Sequence, residues 1–196
     1  MENGSNDKTY EKAKRFEGKN ITIISSSIKG VSAAKNLGIR KLNKNSDWVI
    51  FLDADTILKS NFLQGINNFL KESEKRKYVV GTTSVRPFSK TTTARFWFAV
   101  YNFGHRIFKT SYSIQIIKRS LLDNIHFDER LTMAEDLKFI KDARKYGKFF
   151  YFPTADVYTS TRRFEQIGWI KIFFSWIFGY IIPSWLKRRF TYKVIR

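Results

Sequence analysis

The sequence predicts an α/β fold: a mostly parallel sheet with flanking helices, followed by a C-terminal aromatic amphipathic helix. Three observations carry this reading. Short apolar or β-branched runs alternate with amphipathic segments through the first half of the chain. One run, WVIFL at 48–52, is apolar without a break, as a strand covered on both faces requires. After residue 166 the composition turns aromatic and basic.

Taken in order, residues 5–17 read as a helix capped by Ser5 or Asn6, with Tyr10, Ala13 and Phe16 on one face. NITIISSS (20–27) reads as a β-branched strand. Residues 30–42 form a helix behind Gly30, and 48–52 the second clear strand. Residues 61–72 place Phe62, Leu63, Ile66, Phe69 and Leu70 at helical spacing. KYVVGTTSV (77–85) is a third strand, closed by Pro87. Residues 91–108 are an aromatic helix packed on the sheet or on a membrane, and 111–122 a strand running into a short helix. Residues 132–148 form a helix with Thr132 as cap, Glu135 completing a capping box and Gly147 ending it. KFFYFP and DVY are short strands. No internal repeat or low-complexity linker interrupts the chain, so residues 1–165 read as one domain and 166–196 as a tail.

The 36 lysines and arginines against 17 acids leave a net charge of +19. Nucleic acid, an anionic membrane face or a polyphosphate ligand would suit that charge. No DNA or RNA motif accompanies it, and charge alone gives only nonspecific, salt-sensitive binding, so nucleic acid is not the expected partner. The absence of cysteine excludes a disulfide framework and a thiolate metal site, and two isolated histidines do not make a zinc site. MENGSNDKTYEKAKRF lacks the apolar core of a signal peptide, so the active part is expected to face the cytosol.

The unbroken strand ends in two carboxylates, Asp53 and Asp55. In a regular strand they would point to opposite sides; past the strand end the backbone turns, and both can converge on one cation. Oxygen ligands without histidine or cysteine favour Mg²⁺ or Mn²⁺, which bind through one or two carboxylates plus substrate phosphates. In open α/β sheets ligands bind beyond this end of the strands. The competing reading is a turn or cap. A second constellation, Glu135 and Asp136, opens the 132–148 helix. Glu135 alone fits a cap; Asp136 beside it could take a proton from an incoming hydroxyl. His105 and His126 read as structural or solvated.

These stretches together resemble the family 2 glycosyltransferases, with the Rossmann-like GT-A nucleotide-sugar fold. ENGSNDKTYEKAKRF is similar to the family's D-x-G-S-x-D-G-T segment, GVSAAKNLGI to its G-x-x-x-A-[RK]-N-x-G helix, DAD to its D-x-D, and FDERLTMAEDLKF to its F-D-E…E-D motif. The resemblance covers about residues 2–165 and implies inverting transfer from a nucleotide-diphospho-sugar. Asp55 would hold the metal bridging the diphosphate, and Asp53 would touch the ribose or share the metal. Asp136 would be the general base, with Glu135 helping to place the acceptor. Lys35 and Asn36 match positions near the nucleotide, and Arg162 and Arg163 in STRRF match a basic-aromatic motif against the diphosphate. The family's opening strand, helix and second strand have no counterpart here, so the resemblance is to an N-terminally truncated member whose activity as a single chain is in question.

In the tail, GWIKIFFSWIFGYIIPSWLKRRF (168–190), Lys171, Ser175, Gly179 and Pro183 fall at fourfold spacing, with aromatic residues over the rest. The basic cluster of Lys187, Arg188, Arg189, Lys193 and Arg196 follows. The segment is short for a bilayer span and reads as a helix lying on the inner face of the membrane, a core helix and a true transmembrane segment being the alternatives. A membrane contact there makes a lipid-linked or cell-surface glycan the expected acceptor. Three other functions fit less of the sequence: a membrane-associated inactive glycosyltransferase-like fragment, a metal-dependent phosphatase, and a basic nucleic-acid-binding module. The phosphatase motif wants Thr two residues after its second Asp, where this chain has Ile57.

Overall fold

The computed structural model describes residues 1–131 and 133–182. In chain order the elements are β1 (Glu2–Asn3), α1 (Thr9–Lys14), β2 (Ser25–Ser26), α2 (Val31–Arg40), β3 (Trp48–Leu52), β4 (Thr56–Leu58), α3 (Phe62–Leu70), α4 (Ser73–Arg76), β5 (Tyr78–Thr83), β6 (Arg86–Pro87), α5 (Thr92–Phe108), β7 (Ile114–Lys118), a 3₁₀ turn at Arg119–Asp123, α6 (Glu135–Ala143), β8 (Lys148–Phe152), β9 (Val157–Thr159), α7 (Arg162–Ile167) and α8 (Trp169–Ile181).

The central sheet has the order β3-β7-β5-β8. Strands β3, β5 and β8 run one way and β7 runs against them, antiparallel to both of its neighbours. Alternation along the strands divides the core. Trp48 and Ile50 of β3, and Ile114 and Ile116 of β7, face α3, α5, α7 and α8. Val49, Phe51 and Ile117 face α2 and α6. The unbroken apolar run therefore has the two-sided covering that its composition requires. Gly81 sits where β5 passes β8: an added methyl there would lie 2.4 Å from the Phe150 carbonyl oxygen.

Two smaller sheets flank the central one. In one, β1 pairs in parallel with β2; in the other, β9 lies between β4 and β6. The expected strand at 20–27 is cut to Ser25–Ser26, because β1 offers a ladder of only two residues and Ile21 stays half exposed. The expected helix at 5–17 shrinks to α1 and buries nothing. Gly4, at φ 64°, begins a turn in which the Ser5 N–H donates to Glu2, and Asp7 rather than Ser5 or Asn6 accepts from Thr9. The 61–72 helix forms as α3 with Leu63 turned outward, and the short α4 follows it.

Helix α5 forms as expected, its Thr91 hydroxyl accepting from the Ala94 N–H. Helix α6 starts at Glu135, after Ala134 at φ 55°, and ends at Ala143, before Gly147. The expected cap Thr132 lies outside the described residues, as do residues 183–196 with the basic cluster of the tail. Among the described residues no helix is long and apolar enough to cross a membrane. His105 is enclosed: its Nδ1 lies 2.6 Å from the Thr110 hydroxyl, and its ring stacks on Tyr112. Burial holds its pKa down at about 4.

Candidate active site

The chain turns sharply where β3 ends. The Asp53 N–H donates to the Ser113 carbonyl at 2.9 Å, and the Thr56 N–H donates back to the Asp53 carbonyl at 3.0 Å. This turn frees both carboxylates from the alternation of the strand. Strand β4 then pairs with β9, and the Thr56 and Thr159 hydroxyls meet at 2.8 Å. The Ser160 N–H donates to the Asp55 carbonyl at 3.2 Å. The Asp53–Asp55 loop is thereby fastened to the segment that opens α7, which carries Arg162 and Arg163.

From the other side comes α2. Lys35 Nζ lies 2.7 Å from Asp136 Oδ1 and 3.2 Å from Gln115 Oε1, above the Phe127 ring. Asn36 turns the opposite way. Its amide accepts from the Phe127 N–H at 2.9 Å and donates to the Phe127 carbonyl at 2.9 Å and to Glu129 Oε1 at 2.8 Å. Asn36 therefore grips the FDE segment, three of its four hydrogen-bonding positions being used there. The Phe127 ring stacks on Phe139 at 3.9 Å and meets Phe51 edge-on, which fixes α6 to the back of β3. Glu135 and Asp136 form the first turn of α6, where the helix dipole favours negative charge.

Electrostatics ties these groups into one cleft. Loss of solvation, reinforced by Asp136 and Asp55 and opposed by Lys35, raises Asp53 to about 6. Desolvation and the neighbouring Asp136 raise Glu135 to about 7, with Lys35 again opposing and Asp53 adding. Desolvation pulls the Lys35 pKa down, but the charge and hydrogen bond of Asp136, with the charges of Asp53 and Glu135, together outweigh it and hold Lys35 above its ordinary value. Arg163 is drawn down by desolvation while Tyr112 and Glu135 hold it up, and the Tyr112 hydroxyl, raised chiefly by burial, feels Asp53, Asp55 and Arg163. Lys35, Asp53, Asp55, Glu135, Asp136 and Arg163 are thus linked by charge, directly or through Tyr112. Arg162 stands exposed at the start of α7, its N–H on the Ser160 hydroxyl.

Among the described residues no three carboxylates or histidines converge as a ready-made metal site. The residues present nonetheless fit a hard divalent cation. The donors are oxygens, and the Asp55 carboxylate makes no hydrogen bond or ion pair among the described residues. Asp136 and Asp55 add to the desolvation that raises Asp53, and a cation would offset their charge. Sequence reasoning missed Gln115 and Tyr112. Gln115, buried on β7, is the lone polar residue amid the isoleucines of IQIIK, and that oddity was its signal.

The family model described as glycosyl transferase family 2 matches residues 1–131. No curated protein sequence matches the chain. Among solved structures, that of S. aureus TarS 1–349 is similar with a TM-score of 0.63 at 18% identity, over 93% of this chain and 56% of that one. The structure of S. aureus TarS is similar with a TM-score of 0.62 at 18% identity, over 92% of this chain and 34% of that one. The chain thus spans about half the length of the first and a third of the second, and at this identity the likeness is one of fold. The family match takes in α2, β3 and the Asp53–Asp55 loop, and it extends over well more than half of the sequence. The chain belongs to glycosyl transferase family 2.

Proposed function

We propose that this chain transfers a sugar from a nucleotide-diphospho-sugar to an acceptor hydroxyl, with inversion at the anomeric carbon. The observation that best supports this reading is the shared field of Asp53, Asp55 and Asp136, far apart in sequence, with Lys35 among them. A divalent ion, Mg²⁺ or Mn²⁺, held by Asp55 and Asp53 would offset the charge that grows on the departing diphosphate. Arg163, with Arg162 beside it, would meet the same diphosphate from α7. Asp136 takes the proton of the acceptor hydroxyl, with the ammonium of Lys35 2.7 Å from its Oδ1. Glu135 places the acceptor. Asn36 acts through the FDE segment that it grips.

We place the protein at the inner face of the membrane, with a lipid-linked or cell-surface glycan as acceptor. Support comes from α8: a methyl on its Gly179 would lie 3.3 Å from the end of Met133, two residues before Glu135. The second reading is a membrane-associated inactive glycosyltransferase-like fragment. Titration calorimetry with nucleoside diphosphates and Mn²⁺ separates the two. Metal-dependent binding that disappears in Asp55→Asn supports the enzyme; no heat with any nucleoside diphosphate sinks it.

A further inference from the structure

Helices α5 and α8 lie side by side and run in the same direction, as their ring contacts show: Trp97 meets Phe173 at 5.6 Å, Tyr101 meets Trp176 at 4.5 Å and Phe108 meets Tyr180 at 5.4 Å. Their inner stripes enter the core through Phe98, Tyr101 and Ile172. Their outer faces are also apolar, which core packing does not require. On α5 the outward positions are Phe96, Phe103 and Ile107, exposed by 62%, 67% and 52%. On α8 they are Ile170, Phe174, Ile177 and Ile181, exposed by 62%, 62%, 40% and 72%. The spacing i, i+7, i+11 recurs on both helices, so the two stripes stand next to each other as a single broad patch.

The charge around this patch has one sign. No acidic residue occurs between Glu74 and Asp123 or after Glu165, so both helices come from stretches without a carboxylate. Arg95, Arg106, Lys109 and Lys171 are exposed on or beside the two helices. The sequence beyond α8 adds Lys187, Arg188, Arg189, Lys193 and Arg196.

We infer that α5 and α8 together form a two-helix seat for an anionic lipid surface, in which the aromatic and isoleucine stripes enter the headgroup boundary and the flanking cations meet lipid phosphates. The charge decides the occupant. A second copy of this chain would bring its own cations against these, and an anionic bilayer supplies both the apolar layer and the countercharge. The seat extends the contact from the 168–190 segment to a helix some seventy residues earlier, through the offset of the ring pairs above. It does not depend on the glycosyl-transfer reading, because it can be measured without donor or acceptor.

The test is sedimentation of the full chain with phosphatidylcholine vesicles, with and without phosphatidylglycerol. Binding to the phosphatidylglycerol vesicles, weakened by salt and far weaker to phosphatidylcholine alone, is expected. Phe103→Glu with Phe174→Glu should weaken it roughly a hundredfold, since each ring removed forfeits about tenfold in partitioning. Calorimetry with nucleoside diphosphate and an unchanged circular-dichroism melt verify that this variant folds. Should it not fold, Arg95→Glu with Lys171→Glu, wholly on the surface, reads the electrostatic half and should abolish the preference for phosphatidylglycerol. Absence of binding to either vesicle overturns the inference, as does equal binding to both. A dimer in solution that the Phe103 and Phe174 changes dissolve overturns it too, because a second copy would then cover the face.

Discussion

At Asp136 one carboxylate oxygen holds Lys35 at 2.7 Å, and under the proposed transfer the same carboxylate would take the proton of the acceptor hydroxyl. Replacing Asp136 with Asn keeps the shape and removes the base. Transfer measured directly should fall about 10²–10⁴-fold while binding of nucleoside diphosphate survives. Unchanged turnover would remove Asp136 from the reaction. His105 invites a different measurement. Its pKa is about 4 when folded and 6.5 when free, so the folded protein prefers it neutral. Between those values the unfolded chain takes up the proton and the folded one does not. The contribution of His105 is therefore complete above pH 6.5 and is lost as pH falls towards 4, on the order of 3 kcal/mol in all. Melting curves of wild type and His105→Gln over this range should show the wild type losing stability relative to the variant as acid is added. Parallel curves would mean that the ring is not enclosed. The carboxylates could be picked from the sequence because pairs of like charge stand at the end of a strand and the start of a helix; Lys35 came only from the family resemblance. The grip of Asn36 on Phe127 could not, because it depends on two segments 91 positions apart meeting in space.

Elements were legible in proportion to their length and burial. The apolar run of β3 and the Thr91-capped helix α5 come close to their expected bounds, since each is specified by a continuous pattern and clear end signals. Strands β4 and β6, of three and two residues, carry no period to read, yet they fasten the Asp53–Asp55 loop to α7. Segment 20–27 has every residue preference of a strand and lacks a full-length neighbour to pair with. Gly81 shows the opposite case, a residue without local preference for β5 that the sheet demands. A methyl there would meet both the Phe150 carbonyl oxygen at 2.4 Å and the Phe150 ring at 2.5 Å. Because both obstacles belong to a buried neighbouring strand, Gly81→Ala should destabilise by roughly 2–4 kcal/mol in urea denaturation. A change within a few tenths would mean that β5 and β8 can part at no cost.

For the molecule as a whole, alternation of strand and helix was enough to predict a layered α/β architecture, and three of the four central strands do share one direction. The reversed β7 was visible as a strand, but its direction was not, because direction is set by how α5 carries the chain back across the sheet. The net charge of +19 spoke only of a basic protein; that exposed cations flank the paired α5 and α8 needed the fold.

One margin of this architecture has a practical consequence. Strand β3 closes the central sheet at one end, and among the described residues nothing pairs with its outer side. The backbone groups on that side make an adhesive border, the kind along which chains stack into insoluble ribbons when concentrated. The same border runs directly into Asp53, so any strand laid along it would also lie beside the Asp53–Asp55 loop.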